Sequence, residues 1–221
     1  MSRRAELLER AAESYEKAGL PLDAGRCYLA AGLMLQAARS FENGGDRENA
    51  AATYRKGGAA GAAASIFIDL GRPEEAVACY EAAGDLLSAG WVLAVHTKRT
   101  AQARALLTEV TPTNPAGQLR RELGLALCSV RLRGDPEALV GVVERCGDAL
   151  PTISPLETRA DVRDWAVQAA DLVSRHDLAA SVHAAAYHAR VPNAVARWRG
   201  WAAGALGDTF GVPDRSLPGG D

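Results

Sequence analysis

Aromatic side chains are scarce in this chain. Aromatic residues make up 5% of its 221 positions, although hydrophobic residues reach 48%. Runs of β-branched residues are missing, which argues against a sheet core. No apolar stretch approaches the roughly 20 residues that a membrane span needs. The charged start, MSRRAELLER, lacks the apolar core of a signal peptide, so a cytoplasmic location is expected. Four cysteines, Cys27, Cys79, Cys128 and Cys146, show no metal-type spacing and read as small buried thiols. Neither sign of charge is in excess: residues 1–99 carry 12 basic and 13 acidic groups, against a whole-chain net charge of −2. A nucleic-acid footprint needs a net basic face, so nucleic acid is not an expected partner.

Chemical motifs are equally sparse. No glycine is followed by the G-K-S/T of a phosphate loop, and no G-x-S-x-G elbow occurs. His176, His183 and His188 are spaced by seven and five residues, which does not pair imidazoles as i, i+4 spacing would. They read as surface or partly buried helix residues. The carboxylates Glu74-Glu75 and Glu157/Asp161/Asp164 read as solvated helix faces. Arg190, Arg197, Trp198, Arg199 and Trp201 form a small basic-aromatic cluster of a kind that meets an acidic partner or single-stranded nucleic acid, although Trp198 reads more simply as core and the arginines as solvated. No catalytic, cofactor or metal residue is assigned, and the chain is not expected to be an enzyme.

What the chain does have is a period. Residues 7–97 are seven blocks of 13 without insertion: 7–19, 20–32, 33–45, 46–58, 59–71, 72–84 and 85–97. The fifth position reads Ala11, Ala24, Ala37, Ala50, Ala63, Ala76 and Ala89. The ninth reads Tyr15, Tyr28, Phe41, Tyr54, Phe67, Tyr80 and Leu93. The thirteenth reads Gly19, Gly32, Gly45, Gly58, Gly71 and Gly84, and then Thr97. A fixed period of this kind marks a repeat architecture. The apolar or small positions five, eight, nine and twelve fall at i, i+3, i+4 and i+7, one stripe of a helix. Gly suits the left-handed residue past a helix end. Asp46 and Asp85 suit N-caps, and Pro21 and Pro73 the first helical turn. Each block is therefore a helix of roughly ten residues, about 15 Å long, followed by a tight turn.

Such short helices need neighbours to be stable. The alanine admits a close helix, and the ring fills the groove beside it, worth about 1.5–3 kcal/mol per buried ring. Short turns make consecutive helices antiparallel. The expected fold is an all-α, right-handed α-solenoid of short antiparallel hairpins with 13 residues per helix, followed by a less regular helical C-terminal half.

Stretches such as AAESYEKAGL (11–20), AARSFENGGD (37–46) and AVACYEAAGD (76–85) resemble the A-x-x-x-Y-x-x-x-G-D helices of tetratricopeptide-like solenoids. The nearest flavour is the soluble NSF-attachment protein group and the helical arms of coat and transport complexes. The resemblance covers residues 7–97. Two departures accompany it: the two-block hairpin is shorter than the ~34-residue tetratricopeptide unit, and the C-terminal half matches no segment of an attachment protein. Membrane-fusion function is therefore not carried over. The resemblance implies a protein-binding solenoid, with an AAA-type ATPase as one candidate partner.

Equivalent surface positions recur in alternate blocks. The seventh position holds Glu13, Arg39, Ser65 and Trp91 on odd blocks and Arg26, Ala52 and Ala78 on even ones. The tenth holds Leu29, Arg55 and Glu81 on even blocks. Arg26, Arg39, Arg55 and Trp91 are the candidate partner-binding residues. Block 59–71 (AAGAAASIFIDLG) is apolar nearly all round, which predicts burial beneath the C-terminal half, with an exposed partner-binding patch as the alternative.

Beyond Thr97 the pattern decays. Residues 100–110 form one more helix, so the solenoid unit spans 1–110. TPTNPAG (111–117) reads as a linker, 118–206 as a helical subdomain, and 207–221 as a disordered tail. In that subdomain a stripe of Leu119, Leu123, Ala126, Leu127 and Val130 is expected. Ser154 is expected to open a capping box, launching a helix with Trp165, Ala169, Leu172 and Val173 on its core face. Arginine outnumbers lysine, with only Lys17, Lys56 and Lys98, and alanine and glycine are abundant, as in a GC-rich bacterial coding sequence. The functional expectation is an adaptor or scaffold that binds another protein's extended segment or helix. The alternative is a regulatory or sensor module holding a peptide or small ligand in the solenoid groove.

Overall fold

A computed structural model describes residues 2–207, 211 and 212. The tail expected over 207–221 lies outside the described residues, Gly207, Gly211 and Val212 apart. The protein is an all-α helical-repeat solenoid, with thirteen helices and no strand among the described residues. No helix there is long and apolar enough to cross a membrane. The chain divides into two compact units, Met1–Val92 and Leu93–Asp221.

Unit 1 contains α1 (Arg3–Lys17), α2 (Pro21–Ala31), α3 (Met34–Asn43), α4 (Arg47–Lys56), α5 (Ala60–Asp69) and α6 (Pro73–Ala82). It also holds the first half of α7 (Leu86–His96). From α1 to α6, each helix packs on the next in chain order. The turns follow one rule. The thirteenth-position glycines from Gly19 to Gly84 all have positive φ, between +72° and +82°. Past each of them, the next amide donates to the carbonyl of the preceding ninth position. Examples are Asp46 N–H to Phe41 O at 2.9 Å and Arg72 N–H to Phe67 O at 2.8 Å. This six-to-one bond, with the glycine amide bonded one turn inside it, is a Schellman closure. Asp46 and Asp85 cap the following helices, accepting from Asn49 N–H at 3.1 Å and Ser88 N–H at 3.0 Å. Pro21 and Pro73 occupy the first helical position.

The buried stripe differs from the expected one by one position. In α3, α4 and α5 the buried residues are the fifth, sixth, eighth and ninth: Ala37, Ala38, Ser40 and Phe41, for instance. The twelfth position lies at the helix end and is half-buried or exposed. The sixth reads Ala12, Gly25, Ala38, Ala51, Ala64, Val77 and Gly90, small in nearly every block. Gly25 shows why. A Cβ there would stand 2.9 Å from the Phe41 ring, so the aromatic of α3 seats on the sixth position of α2. Tyr15 has no preceding block and is 39% exposed.

The all-round apolar helix is α7 and not block 59–71. Gly61, Ala62 and Ser65 of α5 are exposed, whereas every residue from Ser88 to Val95 is buried. The burial expected of block 59–71 is corrected on this face: Gly61, Ala62 and Ser65 are open to solvent, while Ala63, Ala64, Ile66 and Phe67 are buried.

Unit 2 continues through α8 (Thr100–Glu109), α9 (Pro115–Arg133), α10 (Glu137–Ala149), α11 (Leu156–Asp171), α12 (His176–His188) and α13 (Ala194–Leu206). Here packing is not confined to chain neighbours. Helix α9 touches α8, α10 and α11, and α12 touches α10, α11 and α13. Leu123, Leu127, Leu139, Val143 and Val162 are fully buried. Segment 111–117 does not separate the units. Helix α8 packs on α9, Arg121 Nε–H donates to Leu107 O at 2.7 Å, and Asn114 caps α9 by accepting from Gly117 N–H at 2.7 Å. It is a short loop and a first helical turn inside unit 2. Ser154 caps nothing: extended Pro155 stands between it and α11, one residue too far for a side-chain cap. The core face of α11 is also shifted. Val162, Arg163, Ala166, Val167, Ala169 and Ala170 are buried, because α9, α10 and α12 approach from several sides. Leu172 is exposed, and Trp165 is half-buried with Arg120 stacked 4.6 Å from its centroid.

Candidate interaction surfaces

The surface of unit 1 follows from its register. With positions five, six, eight and nine turned inward, positions seven and ten face outward or flank the seam. Position ten carries Glu16 and Glu42 on odd blocks, and both are used internally. Tyr28 Oη–H donates to Glu16 at 3.2 Å, and Ser40 Oγ–H donates to its other oxygen at 2.9 Å, so one carboxylate ties α1, α2 and α3. Tyr54 Oη–H donates to Glu42 at 2.8 Å, tying α3 and α4. Burial, reinforced by the facing carboxylate, holds both phenols above the ordinary tyrosine range.

Three of the four candidate partner-binding residues are exposed, each held differently. Arg26 pairs with Asp23 at 2.9 Å, one turn away on the same helix. Arg39 lies beside the Tyr54 phenol and lowers its pKa against the effect of Glu42. Arg55 stacks over Phe67, 5.7 Å from the ring centroid, and Arg72 grips the same ring at 5.3 Å. Arg72 also binds Glu48 at 2.8 Å and meets Glu75, while Arg47 meets Asp69. A charged band therefore joins α4, α5 and α6 around one buried ring, a feature that the block alignment did not reveal. Arg39 and Arg55 form no ion pair among the described residues. Trp91 is corrected: it is 4% exposed and belongs to no displayed row.

In unit 2 the basic-aromatic cluster is split by α13 into two faces. On one, Arg190 and Arg199 line a groove of about 530 Å³ with Tyr187, Val195 and the first turn of α13. Tyr187 is 48% exposed, and neither arginine forms an ion pair among the described residues. On the other face Trp198 and Trp201 lie against His183 at 5.6 and 5.3 Å between centroids. Trp198 is core, as expected. His183 departs from the surface or partly buried reading: it is 3% exposed, and burial holds its pKa down at about 4. Arg163 is buried as well, with Nε–H on Asp164 at 2.9 Å and Nη1–H on Pro192 O at 3.2 Å.

Cys79, Cys128 and Cys146 are buried free thiols, and Cys27 is half-buried. Burial pushes Cys128 up to about 11 and Cys146 to about 12, far from thiolate reactivity at neutral pH. Among the described residues no group of three or more His, Cys, Asp or Glu converges as metal ligands do. No family model, curated protein or solved structure matched the chain.

Proposed function

We propose that the protein is a non-enzymatic adaptor that binds another protein through the outer surface of its helical repeats. The observation that carries this reading is the economy of the register. In α3, α4 and α5 four positions build the stack, and the other positions of these short helices are left for display. Arg39 and Arg55 in unit 1, with Arg190 and Arg199 in unit 2, are exposed cations without a carboxylate partner. Arginines of this kind favour an extended segment or helix that carries Asp or Glu. The sensor reading would call for an enclosed apolar cavity. The grooves of about 420 to 540 Å³ described in unit 2 are open and edged by charged residues.

The test is affinity capture from the native host, followed by mass spectrometry, with wild-type protein and an Arg39→Glu/Arg55→Glu variant of unchanged melting behaviour. A partner held by the wild type and lost by the variant supports the reading. A partner set indifferent to both charges would refute the surface, and turnover of a substrate by the purified chain would refute the class.

A further inference from the structure

We propose that α13 is an acid-released latch: proton uptake at His183 undocks this helix from α12 while the rest of unit 2 stays folded. The imidazole of His183 is 3% exposed, and neither ring nitrogen has a hydrogen-bond partner. Two indoles from α13 cover it. Trp198 meets it at 5.6 Å with planes 70° apart, and Trp201 at 5.3 Å and 40°. A neutral imidazole leaves one N–H and one lone pair unmet there but brings no charge into the site. An imidazolium would present two N–H donors with nothing to accept them, in surroundings too dry to replace its hydration.

The charges around it offer no remedy. Arg163 and Asp164 act on it from α11, and Arg197 from α13. The single carboxylate is already engaged by Arg163 at 2.9 Å and lies 3.8 Å from Arg197. From α10 the buried titratable group is Cys146, which burial keeps neutral. On its own helix His176 meets the edge of Trp201 at 6.1 Å. Burial first, and Arg163 second, hold His183 at about 4, against about 6.5 for a free histidine.

Opening is cheapest at α13. Its helix packing is on α12, and side chains make its ties to α11. Trp201 Nε1–H donates to Asp171 at 2.9 and 3.0 Å, and Arg163 and Arg159 hold the preceding turn at Pro192 O and Ala189 O, both 3.2 Å. Elements with few neighbours open before the core does. Swinging α13 away gives His183 water without disturbing the contacts of α9, α10 and α11.

The sign follows from linkage. Because the docked pKa is depressed, docking is fully favoured above pH 6.5 and weakens as the pH falls toward 4. Between pH 7 and pH 5 the undocked population should rise about twenty-fold. Amide hydrogen exchange of the full chain, corrected for intrinsic rates, reads this directly. The expected result is that exchange over 194–206 speeds up about twenty-fold at pH 5 while α9 to α11 stay protected. His183→Phe and His183→Gln, both without a titrating group, should remove the pH step, and His176→Gln should keep it. Unchanged protection of α13 at pH 5 would overturn the proposal. So would loosening of all of unit 2 together, or a step that survives in a folded His183 variant. Should both variants misfold, the wild-type profile alone decides, since a step confined to 194–206 is required.

Discussion

The two units are built from the same material and solve their packing in opposite ways. In unit 1 each helix from α1 to α6 packs chiefly on its neighbours in the chain, with side-chain ties such as Ser40 to Glu16 reaching one helix further. At α2 and α3 the Phe41 ring drops onto Gly25, and throughout the unit a glycine at φ near +75° turns the chain back. In unit 2 the helices run to 19 residues and meet partners distant in sequence, and leucine and valine such as Leu123, Leu127, Leu139 and Val143 join alanine in the core. Its turns also differ. Ser174, Arg190 and Asn193 hold φ between +55° and +58° without the help of glycine. A periodic sequence stabilises each element locally and leaves little to tertiary arrangement, whereas an aperiodic one depends on which helices meet.

The comparison can be broken first at the rings. Phe41→Ala should cost about 3–5 kcal/mol, as deletion of a buried ring does. Tyr15→Ala, at the same repeat position with no helix before it, should cost much less. Urea denaturation checks both, and equal costs would deny that the ring works through its predecessor. Next come the turns. Gly45 stands at φ +78°, so Gly45→Val should lose about 1–3 kcal/mol through backbone strain. In unit 2 the reverse exchange, Ser174→Gly, should gain roughly 0.5–1 kcal/mol by relieving the left-handed penalty. A smaller effect is expected at the helix ties: Tyr54→Phe removes the bond to Glu42 and should cost about 1 kcal/mol in thermal melts. Smallest in energy is the thiol order. Half-buried Cys27 should be alkylated first at pH 8, with Cys128 and Cys146 unreacted until the fold opens.

Much of unit 1 was legible in the sequence because its signals are local. Positions five, nine and thirteen announced a close contact, a knob and a turn, and the helices α2 to α7 begin one residue into each block. The sixth position escaped notice. Ala38 or Gly25 looks no more apolar than a surface alanine, and its role exists only against the ring of the next helix. Trp91 was misplaced for a related reason: equivalence of repeat position says nothing of what surrounds the seventh helix. In unit 2 the elements were readable and their faces were not. Helix α11 buries Arg163, and Leu172 just past its end is exposed, an inversion no hydrophobic stripe can reveal, since three other helices decide which side is inside. His183 escaped for the same reason. Spacing from His176 and His188 ruled out a pair, but only the position of α13 brings two indoles over its ring.

The register itself is best tested by deletion. Removing blocks 46–71 takes out two helices, preserves the alternation, and brings Tyr80 one block after Glu42, the relation Tyr54 has now. Removing 59–71 alone takes out one helix and reverses the direction of everything after it. Thermal unfolding followed by circular dichroism should show a cooperative transition for the 26-residue deletion, at reduced midpoint, and a broad, non-cooperative one for the 13-residue deletion. Equal behaviour of the two shortened chains, or collapse of the longer deletion alone, would contradict a stack built on alternating, interchangeable helices.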